Sequence, residues 1–84
     1  MYWYKIIAHE YMDEHPTVSF RLFQSNEDAY SYENNMNRSY SGGTTSVVPA
    51  VKAEVLDYIE RNRIELDQTQ LDDVNNEQNY RFTA

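Results

Sequence analysis

Eighty-four residues suffice for one small domain with a single core. The chain has no cysteine, and its only glycines are the adjacent Gly42 and Gly43. Disulfides, thiolate metal sites, thiol nucleophiles and the glycine-rich phosphate loops of nucleotide-binding enzymes are thereby excluded. Fourteen acidic residues against seven basic ones give a net charge of −7, and the imbalance peaks between Glu54 and Glu77, where eight carboxylates face only Arg61 and Arg63. Such a surface repels nucleic acid and anionic membranes at long range and attracts basic surfaces of other proteins.

No apolar run approaches the ~18 residues of a membrane span, and the first residues lack the apolar core of a signal peptide. A soluble, cytoplasmic protein is expected. At 40% hydrophobic and 14% aromatic residues the chain is too apolar for a disordered acidic tail.

Residues 2 to 11 are rich in Tyr, Trp and Ile, and Val18, Phe20 and Leu22 alternate within residues 17 to 24. Both segments read as strands. The intervening Met12-Asp13-Glu14-His15-Pro16 suits a hairpin turn, so the two strands are expected to pair antiparallel.

Ser25 follows as a helix N-cap with Asp28 in the first turn, and Ala29, Tyr32, Met36 and Tyr40 share one helical face. Asn34, Asn35 and Asn37 favour a short helix. Residues 41 to 46 read as a loop with a glycine placed to cap that helix.

Pro49 fits the first turn of a second helix with Val51, Val55, Tyr58 and Ile59 as its apolar stripe and Asn62 near its end. Glu54, Asp57 and Glu60 are expected opposite that stripe, with an Asp57 to Arg61 pair. After an extended link at Ile64-Glu65-Leu66, Asp67 and Gln70 match a capping box flanked by Leu66 and Leu71 as a staple. A third helix over Gln68 to Asn75 follows, with Leu71 and Val74 inward. Tyr80 to Thr83 read as a terminal strand. The fold class expected is α+β: an N-terminal antiparallel hairpin packed on one face against two main helices, a short third helix and a C-terminal strand.

Side chains alternate across a sheet. Placing Tyr2, Tyr4, Ile6 and Ala8 inward with Val18, Phe20 and Leu22 leaves Trp3, Lys5, His9, Tyr11, Arg21 and Phe23 on one aromatic and basic outer face. A one-residue change of register reassigns the whole set. Nine of the twelve aromatic residues lie in the first forty positions. Most are expected in the core, and some of the eight tyrosines on the surface as contacts.

His9, Glu10, Asp13, Glu14 and His15 gather near the hairpin turn. They lack the spacing of a metal motif, so no metal and no cofactor are expected. No strained nucleophile turn can be written, and a chain this short offers little room for a deep pocket, so no enzymatic activity is expected. The strand VSFRLF lacks the glycine-containing aromatic signature of RNA-recognition sheets, and the net charge has the wrong sign. Direct nucleic-acid binding, by base stacking on the aromatic face, is the secondary reading.

The primary reading is a protein-binding module without catalysis. Its candidate residues are Glu54, Asp57, Glu60, Glu65, Asp67, Asp72 and Asp73, and its partner is another protein with a basic surface. A homodimer is compatible with this reading. In length, acidity and absence of a catalytic motif the chain resembles the small inhibitor proteins that bacteriophages and mobile elements direct against host nucleases and immune complexes, some of which mimic DNA. An acidic antitoxin-like regulatory subunit has the same character. The resemblance covers no motif and assigns no residue a role.

Overall fold

The computed structural model describes residues 1–10, 15–39 and 43–81. Residues 11 to 14 lie outside them, among them Tyr11 of the expected outer face and Asp13 and Glu14 of the expected turn, as do Tyr40, Ser41, Gly42, Phe82 and Thr83. The described residues form an α+β fold in the order β1 (Tyr2–Glu10), β2 (Thr17–Phe23), α1 (Asn26–Ser39), β3 (Gly43–Pro49), α2 (Lys52–Arg61), α3 (Gln68–Asn75) and a 3-10 turn at Glu77–Asn79.

The sheet is antiparallel with strand order β2-β1-β3. Strands β1 and β2 pair as expected, but residues 43 to 46 begin a third strand instead of a loop. Thr44, Thr45, Val47 and Val48 are β-branched and suit a pleated surface. Thr45 and Val47 are buried while Thr44, Ser46 and Val48 are exposed, a period of two hidden under a composition rich in turn residues. A side chain on Gly43 would run into the backbone carbonyl of His9, so glycine permits this close start to the strand.

Pairing places Tyr2 opposite Phe23, Tyr4 opposite Arg21 and Trp3 opposite Leu22. Directly opposed residues share a face, so Val18, Phe20 and Leu22 lie on the Trp3 face and not with Tyr4. The inward sets assigned from the two strands therefore point to opposite sides. The sheet has helices on both sides, not on one. On the Tyr4 face, α1 closes a core of Tyr4, Ile6, Phe23, Ala29 and Val47. On the Trp3 face, α2 and α3 close a second core of Ala50, Val55, Val74 and Tyr80, flanked by Trp3, Phe20, Ile59 and Leu66, so the single core expected from the chain's length is instead divided in two by the sheet. Strand β2 serves both layers because Phe20 and Phe23 are three residues apart and so project to opposite sides.

Helix α1 starts as expected, with Ser25 Oγ accepting from the Asp28 amide at 3.2 Å. It runs 14 residues, longer than its asparagines suggest. Its polar residues bond the sheet: Asn37 accepts from the Thr45 amide at 2.7 Å and donates to the Thr45 carbonyl at 3.0 Å, and Glu33 accepts from the Val47 amide at 3.0 Å. These bonds offset the low helix propensity.

Pro49 ends β3 instead of opening α2, whose N-cap is Val51. Leu71 is 39% exposed and does not complete a buried staple, whereas Val74 is 2% exposed. The 3-10 turn takes the chain to Tyr80, which is not in a strand. Tyr80 is 6% exposed and its hydroxyl donates to the Val74 carbonyl at 2.6 Å, while burial pushes its pKa up to about 12.

Candidate functional site

Helices α2 and α3 form the acidic layer because each spends its apolar stripe on the same core. On α2 that stripe is Val55, Tyr58 and Ile59, and Phe20 meets the Tyr58 ring edge-on at 5.2 Å. On α3 it is Val74. Asp57 lies roughly 160° and Glu60 about 140° from Val55 around the α2 axis, and Asp72 about 160° from Val74 around α3. All three are exposed, as are Glu65 in the link and Asp67 at the α3 N-terminus. Asp67 accepts from the Gln70 amide at 2.8 Å, and the Gln70 side chain accepts from the Asp67 amide at 3.0 Å, the capping box expected from the sequence.

Two members of the expected acidic row, Glu54 and Asp73, are not fully exposed. Glu54 accepts from Lys5 Nζ at 2.6 Å and from the Val51 amide at 3.3 Å. Its ion pair with Lys5 joins α2 to β1. The Lys5 hydrogen bond, opposed by burial and aided by the Val51 amide and the Lys5 charge, holds its carboxyl below the usual value of 4.5. Asp73 is half-buried, and its backbone carbonyl accepts from Trp3 Nε1 at 3.0 Å and from Asn79 Nδ2 at 2.9 Å.

A depressed carboxyl stabilises the fold above its unfolded pKa and loses that contribution as pH falls through the folded value. Stability is therefore expected to drop on acidification below pH 4.5, and more steeply in the wild type than in Glu54→Gln. Urea midpoints at neutral and acidic pH measure this; equal slopes for the two proteins would show that the pair does not hold α2 to the sheet.

Nearby cations are largely committed. Arg61 Nε lies 2.9 Å from Asp57 Oδ2, and Lys52 Nζ lies 3.8 Å from Glu77 Oε1, an acidic residue that the sequence reading did not include in the site. Among the described residues, Glu60, Glu65, Asp67 and Asp72 make no ion pair.

Arg63 ends α2 at a positive φ of 50°, the described non-glycine residue with such a backbone. Its amide donates to the Glu60 carbonyl and the Ile64 amide to the Ile59 carbonyl, the double bond of a Schellman end that normally takes glycine. Arg63→Gly is expected to raise stability by about 1 kcal/mol by removing left-handed strain, read from the urea midpoint. It also takes the Glu54 to Glu77 segment from −6 to −7.

The aromatic and basic outer face does not assemble. Trp3, Lys5 and His9 lie on the α2–α3 side, whereas Arg21 and Phe23 lie on the α1 side. Phe23 is 8% exposed, and the Arg21 guanidinium sits 5.3 Å from the centroids of both Phe23 and Tyr32. Tyr11 lies outside the described residues. Among the described tyrosines, Tyr30 on α1 is the one exposed as a large apolar group, at 49%.

A cavity of about 190 Å³ opens between the sheet and the α2–α3 layer, lined by Trp3, Phe20, Tyr58, Ile59, Leu66 and Asp73 among others. No sequence signal marks it, because its walls come from β1, β2, α2, the link and α3 together. A more open groove of about 390 Å³ runs between β2 and α1, past Arg21, Gln24, Asp28 and Asn35. Among the described residues no cluster of His, Cys, Asp and Glu is arranged to hold a metal, and no helix is long and apolar enough to cross a membrane. No protein-family model, curated protein or solved structure matches the chain.

Proposed function

We propose that the protein acts by binding alone, docking the outer surface of α2, the following link and α3 onto a basic surface of another protein. The observation that supports this is the uneven pairing of charge on that layer. Arg61 is held by Asp57, Lys52 by Glu77 and Lys5 by Glu54, while Glu60, Glu65, Asp67 and Asp72 meet no cation among the described residues. Glu60 and Asp72 on the helices, with Glu65 and Asp67 in the segment that joins them, are left unmatched and offer an acidic partner for a basic groove. A nucleic-acid-binding enzyme or complex presents such a groove, and an acidic layer seated in it blocks nucleic acid from entering. This is the action of an inhibitor, in keeping with the character of the phage and mobile-element proteins noted above.

Affinity capture from cells that naturally make the protein, followed by mass spectrometry, tests the reading. The expected result is a partner with a basic nucleic-acid-binding surface, released as salt is raised and displaced by nucleic acid. Capture of a partner that salt does not release, or direct micromolar binding of single-stranded oligonucleotides with quenching of Trp3, would contradict it.

A further inference from the structure

The two edges of the sheet are treated differently. Both backbone groups of Thr45 and the amide of Val47 point away from β1, and α1 bonds them through Asn37 and Glu33. The β3 edge is thus closed by side chains.

The opposite edge has no such cover. Thr45 and Val47 stand opposite Ala8 and Ile6 without bonding them, so Ala8 and Ile6 direct their backbone groups to β2, where they meet Thr17 and Ser19. Alternation then turns the backbone groups of Val18, Phe20 and Leu22 outward. Among the described residues nothing bonds them, and Val18 is 38% exposed.

From this we infer that β2 pairs antiparallel with β2 of a second copy, joining two sheets into one. The strand's own sequence favours that occupant. With the two-fold axis at Phe20, Val18 faces Leu22 of the second copy, Phe20 faces its equivalent and Ser19 faces Arg21. Apolar residues oppose apolar ones on the α2–α3 side, and no like charges oppose each other. Residues 17 to 23 carry no carboxylate, so the strand itself sets no carboxylate repulsion between two copies of an acidic chain. The outward groups of Val18, Phe20 and Leu22 fall in the positions that exchange paired backbone bonds at such an axis.

Sedimentation equilibrium on the full chain tests the pairing, alongside two edge variants. Val18→Pro removes an outward amide that makes no bond inside the monomer, and Val18→Lys adds a charge at the same point without altering the backbone. Val48→Lys, equally exposed at 38% on the same face but in β3, is the control. The wild type and the control are expected to dimerise, and both Val18 variants to dissociate at roughly tenfold lower concentration-normalised affinity or worse, with unchanged circular dichroism. A monomeric wild type, a dimer indifferent to both Val18 variants, or equal weakening by Val48→Lys would overturn the inference.

Discussion

Reversing Asp57 and Glu60 together to lysine is expected to leave the fold intact and to weaken the complex with the basic partner by several kcal/mol. Both side chains point away from the Val55 core, and Asp57 is 56% exposed, so stability is at stake only through its pair with Arg61. An exposed i,i+4 pair contributes about 0.3–0.5 kcal/mol, and its replacement by two like charges costs a similar amount. Binding differs because each reversal removes an attraction and adds a repulsion at a desolvated contact. Association should slow most, since the long-range field steers encounter, and the wild-type salt dependence should flatten. Calorimetric titration against the captured partner, with urea unfolding as the fold control, measures both effects. Unchanged affinity and salt dependence would move the docking surface off this layer.

Truncating Tyr4 to alanine is expected to cost about 3–5 kcal/mol, as for other large aromatic residues removed from a core. Tyr4 is fully buried, packs edge-on against Phe23 at 5.6 Å and donates its hydroxyl to Asn26 Oδ1 at the start of α1. A chain of this size holds roughly 4–13 kcal/mol in all, so the change consumes much of the stability. Tyr4→Phe keeps the ring and should cost only about 1 kcal/mol, because Asn26 still accepts from Arg81 Nη1 at 2.9 Å. Urea denaturation followed by circular dichroism compares them. Similar losses for both substitutions would mean that the hydroxyl, not the ring, secures α1 to the sheet.

What could be read from the sequence was local. The Ser25 cap, the Asp67–Gln70 box and the α2 stripe of Val55, Tyr58 and Ile59 depend on residues within a turn of one another and form as expected, except that Val51, expected in the stripe, is the N-cap instead. Strand β3 was obscured because Gly43, Thr44, Thr45 and Ser46 satisfy turn chemistry as well as strand propensity. The pairing partner that decides between them lies more than thirty residues earlier, at Ile6 to Glu10.

The site was legible in the same measure. Asp57, Glu60 and Asp72 face outward because the helical period alone places them there. Glu54 and Asp73 sit on the flanks of their helices, where a distant residue determines orientation. Lys5 draws Glu54 inward across 49 residues of sequence, and Trp3 holds the Asp73 carbonyl across 70. The aromatic face failed for a related reason. Both strands show clear alternation, but alternation does not state which set of β1 shares a side with which set of β2. That follows from register, and register here serves two helical layers at once.

Hydrogen–deuterium exchange on the protein with and without its captured partner, at matched protein concentration, tests the docking surface most directly. Backbone amides of α2 and α3, from Lys52 to Asn75, are expected to gain protection on binding, with the outer ends of both helices most affected and α1 unchanged. Protection confined to α1 or to the β2 edge, with none on α2 and α3, would contradict the account.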